Sequence, residues 1–215
     1  MGAGIKSLVT KALVAKRILL LLLLVFLWHV SSLSQQSYEE TQVGIPEELQ
    51  VPIFLKILTY DRSLEARIKD TIYIGILYFP DSDRSVKNKD AFIENLKLNK
   101  DKTVNGIPFS FTEVKFSTTE RLDEVMVKKG INILYVTSDG SNMIKSISEI
   151  TQEKKILTLT GRVDYVNRGI SVGLGVEEKK PRIFINLRSA RREGCDFSAN
   201  LLRLCKVIDQ GSLSS

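Results

Sequence analysis

The sequence predicts a single α/β domain of three layers, α/β/α, with a mostly parallel sheet of roughly six strands and an antiparallel edge. Three features predict it. Short apolar runs rich in β-branched residues alternate with amphipathic stretches of helical period, the signature of βαβ units. The run 71–79 is apolar on both faces, as a strand covered on both sides must be. The last two strand runs, 170–176 and 182–187, are joined by the polar segment 177–181, which is too short for a parallel crossover.

Each element follows from its own pattern. From Pro52, the residues Ile53, Phe54, Ile57, Leu58 and Tyr60 fall at helical spacing, with Pro52 tolerated in a first turn. The run 71–79 is bounded by Asp70 and Pro80. A polar helix over 82–99 carries Phe92, Ile93 and Leu96. Alternating Phe109, Phe111, Val114 and Phe116 make a strand. Ser117-Thr118-Thr119-Glu120 resembles a capping box that opens a helix with Leu122, Val125 and Met126 on one face, closed by Gly130. A strand over 131–136, a helix over 142–152 and a strand over 156–160 follow. A last helix over 198–208 carries Leu201, Leu202, Leu204 and Val207.

The formal charge of +6 does not imply nucleic acid. Lys6, Lys11, Lys16 and Arg17 lie in the first 34 residues, which contain no Asp or Glu; four of the 31 basic residues are therefore in that stretch, leaving 27 against 25 acidic. Phosphate neutralisation needs a clustered basic stripe, and a mixed-sign surface does not supply one. Residues 1–34 read as a signal peptide: a basic start, an apolar run over 18–30, and Ser32 and Ser34 before a cleavage point. A membrane span needs about 20 apolar residues. The organisation is a signal peptide (1–34), a flexible lead-in (35–46), the α/β domain (47–209) and a disordered tail (210–215). The only histidine, His29, lies in the leader, so the exported chain loses the imidazole on which common hydrolytic and metal chemistries rely.

The remaining motifs are modest. Gly173-Leu174-Gly175 lacks the third glycine of a dinucleotide loop and is not followed by a helix. No cofactor, metal ligand set or catalytic group is expected, and the chain is not read as an enzyme. Cys195 and Cys205 are the only cysteines, and a disulfide and two free thiols stand as alternatives. Asp61, Asp81, Asp83, Asp139, Asp164 and Asp196 sit in loops, where Asp usually bonds local backbone. Arg191 and Arg192 are the candidate contact for a partner.

The carboxy-terminal third carries a resemblance. Ile156-Leu157-Thr158-Leu159-Thr160, Val163-Asp164-Tyr165-Val166 and Gly169-Ile170-Ser171-Val172-Gly173-Leu174 form one part. Pro181-Arg182-Ile183-Phe184-Ile185-Asn186-Leu187, Ala190-Arg191, Gly194, Phe197-Ser198-Ala199 and Leu201-Leu202-Arg203-Leu204 form the other. Together they resemble the YfiR-like family of exported bacterial proteins, and 55–62 is similar to that family's first helix. The resemblance implies a periplasmic regulator that binds the periplasmic part of an inner-membrane receptor and represses it, a diguanylate cyclase in the characterised type and another sensor in relatives. It implies structural roles for Asn186, for Gly194 at positive φ, and for Leu201, Leu202 and Leu204 packed on the sheet. A homodimer is an open alternative for assembly, and a small-molecule-binding module is the second function. Its mouth would lie at the loops 80–85, 137–141 and 160–164, beyond the strand ends.

Overall fold

The computed structural model describes residues 45–208. The leader with His29, nearly all of the lead-in, and the tail lie outside the described residues.

Helix α1 (Glu47–Leu58) begins five residues before Pro52, with Pro46 at its N-cap and Glu47 and Glu48 in the first turn, where the helix dipole favours negative charge. Ile45, assigned from sequence to the flexible lead-in, is 3% exposed and packs into the core. A short helix α2 (Leu64–Arg67) leads to β1 (Ile72–Tyr78). Helix α3 (Asp83–Leu98) is capped by Ser82, whose Oγ accepts from the Ser85 amide at 3.0 Å. Strand β2 (Phe109–Lys115) precedes α4 (Thr119–Lys128). Its cap is Thr118, one residue later than the Ser117 box, accepting from the Arg121 amide at 3.2 Å, and Gly130 (φ +61) closes it.

Strand β3 (Ile133–Val136) leads through a 3-10 turn (Ser141–Met143) into α5 (Ile144–Lys154), then β4 (Leu157–Thr160). The short helix α6 (Val163–Val166), not expected from sequence, precedes β5 (Val172–Glu177). Gly173 and Gly175 are explained by this packing: an added Cβ would lie 2.3 Å from Val166 Cγ2 and 2.2 Å from Val163 Cγ2. These glycines admit a helix, not a phosphate. Strand β6 (Lys180–Asn186) follows a two-residue turn at Glu178 and Lys179, both at positive φ (50° and 63°), the geometry that matches strand twist in tight hairpins. Pro181 thus falls inside β6 rather than in the turn, beyond the reach of β7, where its missing N–H leaves no ladder bond unmade.

Helices α7 (Leu187–Arg192) and α8 (Ala199–Leu204) and strand β7 (Lys206–Ile208) complete the described chain. The expected last helix over 198–208 is therefore shorter. Cys205 turns extended (φ −105°, ψ 157°), and the β-branched pair Val207 and Ile208 runs parallel to β6 opposite Ile185 and Asn186. The sheet order is β2-β1-β3-β4-β5-β6-β7. All neighbours are parallel except β5 and β6, so the antiparallel pair is present but β7, a seventh strand, forms the edge.

Alternation along β3 divides the core between the two faces. Ile133 and Tyr135 join Phe54 of α1 and Phe92 of α3 on one face; Leu134 and Val136 join Met126 of α4 and Ile147 of α5 on the other. Tyr135 and Phe92 stack at 3.6 Å with an 11° interplanar angle, and Phe54 meets Tyr135 edge-on at 6.0 Å. Burying each such ring contributes about 2 kcal/mol.

Candidate functional site

Two places on the fold concentrate polar and charged groups. The first lies where β1 is flanked by β2 on one side and β3 on the other, so the crossovers leave in opposite directions and open a crevice at the strand C-termini. The three loops expected at a ligand mouth do meet here, and they bond to one another. The Phe79 amide donates to Ser85 Oγ at 2.8 Å. Ser85 and Thr137 share a bond of 2.6 Å, and Thr137 Oγ1 donates to the Leu77 carbonyl at 2.9 Å. Because Thr137 spends its single proton on Leu77, Ser85 is the donor to Thr137. Ser82 Oγ donates to Asp139 at 2.5 Å, the Gly140 amide to the Tyr165 hydroxyl at 2.8 Å, and Arg162 Nε to Asp164 at 2.9 Å. Burial raises the Tyr165 hydroxyl against the hydrogen bonds that lower it, leaving a neutral phenol. The crevice is closed by its own side chains.

The second place is a cavity of about 190 Å³ lined by Arg62, Leu187, Arg191, Cys195, Asp196, Phe197, Ala199 and Leu202. It lies where β6 runs out into α7, the end at which the parallel strands begin. Asn186 makes the corner: its Oδ1 accepts from the Ser189 amide at 3.1 Å and its Nδ2 donates to the Val166 carbonyl at 3.0 Å, as its structural role implied. Helix α7 then ends on Gly194 at φ +85°, with the Gly194 amide donating to the Arg191 carbonyl (3.1 Å) and the Cys195 amide to that of Ala190 (2.9 Å).

That turn sets Cys195 and Asp196 against the chain between α1 and α2. Asp61, 2% exposed, accepts from the Ser63 amide (3.0 Å), Ser63 Oγ (2.7 Å), the Asp196 amide (2.9 Å) and Arg67 Nη2 (2.6 Å). Burial alone would raise the Asp61 carboxyl, but the bonds from Asp196, Ser63 and Arg67 outweigh it and hold the group below its usual range. Arg67 also donates to Cys195 Sγ at 3.2 Å. Both cysteines are free thiols in this structure; burial pushes the Cys195 thiol far up and that of Cys205 to about 11. Both are neutral near pH 7.

At the rim, Arg62 pairs with Asp196 at 2.7 Å. Arg191 is exposed and makes no ion pair among the described residues, whereas Arg192 donates to Gln152 at 3.3 Å and does not line the cavity. The two arginines grouped from sequence thus stand in different surroundings. Leu204 is 64% exposed, so of the three leucines of α8 Leu201 (2%) is the buried anchor. Asp61 sits apart from Asp81, Asp83, Asp139 and Asp164, which its loop position did not signal. Glu193, fully buried, carried no sequence signal at all. Among the described residues no His/Cys/Asp/Glu cluster has the geometry to hold a metal, and no helix is long and apolar enough to cross a membrane. An apolar floor with guanidinium groups at its rim is suited to binding.

No curated protein matches the chain. Among solved structures it is similar to a conserved domain protein from Vibrio cholerae O1 biovar El Tor (15% identity, TM-score 0.57) and to an ABC domain from Streptococcus pneumoniae in complex with L-Trp (15% identity, TM-score 0.54). Each match covers 76% of this chain and 60% of the other, so the chain spans about three fifths of these proteins, and the likeness is one of fold. The YfiR/HmsC-like family model matches residues 80–206. It takes in the 80–130 stretch whose own sequence is unremarkable and leaves the first helix outside. From the Ser82 cap through β2–β6 and the Asn186 corner to the α7–α8 side of the cleft, with β1 and Arg62 left outside, the match covers more than half of the sequence, and the chain belongs to the YfiR/HmsC-like family.

Proposed function

We propose that this protein is an exported regulator that binds the periplasmic part of an inner-membrane signalling receptor, a diguanylate cyclase or another sensor, and represses it. The family match over 80–206 carries this reading. The basic, apolar leader supports export. The cleft supports binding: Leu187, Phe197 and Leu202 give an apolar floor, and Arg191 gives an uncommitted cation at the rim. Repression requires only that the protein bind the inactive receptor better than the active one, which shifts the population.

The test is capture of tagged protein with its receptor from native membranes, alongside a deletion strain. Deletion raises receptor output, read as cyclic-di-GMP for a cyclase. Arg191→Glu lowers capture about tenfold, the loss of one rim charge pair at roughly 1.4 kcal/mol. Unchanged output in the deletion strain, or unchanged capture by both R191E and Leu202→Asp, defeats the reading.

The same cavity of about 190 Å³ favours a second reading, a module that binds a small molecule. A thermal shift with envelope metabolites that is lost in L202D supports it, and no shift across the set removes it.

A further inference from the structure

Glu193 lies directly behind the cleft, at the C-cap of α7, and is 0% exposed. Its carboxyl group is enclosed by four donors. Oε1 receives the Thr151 hydroxyl (3.1 Å) and the Thr158 hydroxyl (2.8 Å); Oε2 receives the Thr158 amide (2.8 Å) and the Ser171 hydroxyl (2.5 Å). Thr151, Thr158 and Ser171 are themselves fully buried. No cation donates to this carboxyl among the described residues. On the elements around it the charged groups are otherwise engaged: Lys154 with Asp123 (3.3 Å), Lys155 with the Arg192 carbonyl (2.8 Å), Arg192 with Gln152, and Arg67 with Asp61. Arg191 is exposed, the Cys195 thiol is neutral, and β4 presents Thr158 and the residue before β5 presents Ser171.

A buried carboxylate without a cation is expensive to keep charged. Such a group usually leaves a polar atom unsatisfied when it takes a proton, and here it does not. Thr151 Oγ1 lies 3.1 Å from Glu193 and 3.2 Å from the Ser148 carbonyl, and its one proton serves one acceptor at a time. When Glu193 is charged, Thr151 donates to it. When Glu193 is protonated, its O–H donates to Thr151, whose own proton turns to Ser148. Every group keeps a partner in both states.

We propose that this nest is a proton-binding switch: Glu193 takes up and releases one proton while the Thr151 hydroxyl turns between Glu193 and the Ser148 carbonyl, and the charged form holds the fold less firmly. Burial pushes the carboxyl up to about 7, from 4.5, with the bonds from Ser171, Thr158 and Thr151 restraining the rise. The group thus changes charge close to neutrality. Because the folded form binds the proton more tightly than the unfolded chain, this contribution to stability is complete below pH 4.5. It is lost as pH rises toward 7 and level above. The proton-affinity ratio corresponds to a roughly 300-fold change in the unfolding constant.

The test uses the folded chain as it is. Carbon-13 NMR of glutamate carboxyls should show one group with a midpoint between pH 6 and 8, absent in Glu193→Gln. Urea unfolding between pH 5 and 8 should lose stability with rising pH in the wild type and show a flatter profile in E193Q. Should E193Q fail to fold, Ser171→Ala removes a donor that stabilises the charged form more than the neutral one, and the midpoint moves up by about one pH unit. A glutamate set with every midpoint below pH 6, a wild-type pH slope retained in E193Q, or an unmoved midpoint in S171A overturns the proposal.

Discussion

Asp61 is as inaccessible as any core residue, yet it stays charged because Arg67, 2.6 Å away, and three further donors stand around it. Glu193 has four donors and no cation, and burial wins instead. The pair shows that exposure alone does not decide how a carboxyl titrates; the charge of its partner does. Asp61 is held low, so its contribution to stability is present above about pH 4 and is lost as pH falls below that. Arg67→Ala strands a buried carboxylate and should cost about 3 kcal/mol at pH 7 by urea unfolding, with a deficit that shrinks as acid neutralises the stranded carboxyl of the variant. At this scale the sequence was partly legible. Asn186 and Gly194 could be assigned because a turn constrains the residue type locally. Asp61 was visible only as one loop carboxylate among several, since its partner Asp196 is 135 positions away.

Among the elements, α8 shows where periodicity misleads. Leu201, Leu202, Leu204 and Val207 fit one apolar stripe on paper, but the helix stops at Leu204 and only Leu201 is fully enclosed. Leu201→Ala should therefore cost about 2–4 kcal/mol in thermal or urea unfolding, the range for core leucines, while Leu204→Ala changes stability by less than about 0.5 kcal/mol. Equal effects would mean that the helix continues. The long strands and helices were readable because their periods are sustained over many residues. Strand β7 has three residues, too few for period 2 to be told from period 3.6, and its identity rests on pairing with β6. Helix α6 has only four residues, and its signal was the glycine pair it rests against rather than its own sequence.

At the level of the whole molecule, the fold class was legible and the cleft was not. Alternation of strands and helices dictates a covered parallel sheet, but the cavity is assembled from Arg62 on one side and 187–202 on the other. Only the folded sheet brings those together. The seam is a set of bonds between distant parts of the chain: Arg62 N to Asp196 O at 2.9 Å, Ser198 N to Tyr60 O at 2.9 Å, and Asp196 N to Asp61 Oδ1 at 2.9 Å. Ending the chain after Glu193 should consequently unfold the domain rather than shorten it, with circular dichroism losing its cooperative melt; a truncated form melting like the full chain would contradict the seam.

That seam also orders events during synthesis. Residues 60–63 leave the ribosome long before 194–198 exist to receive them, and contacts so distant in sequence form late. The segment after α1 must wait for nearly the last turn of the described chain before its bonds are made. Until translation is almost complete the carboxylate of Asp61 lacks its Asp196 partner, and this side of the fold stays open.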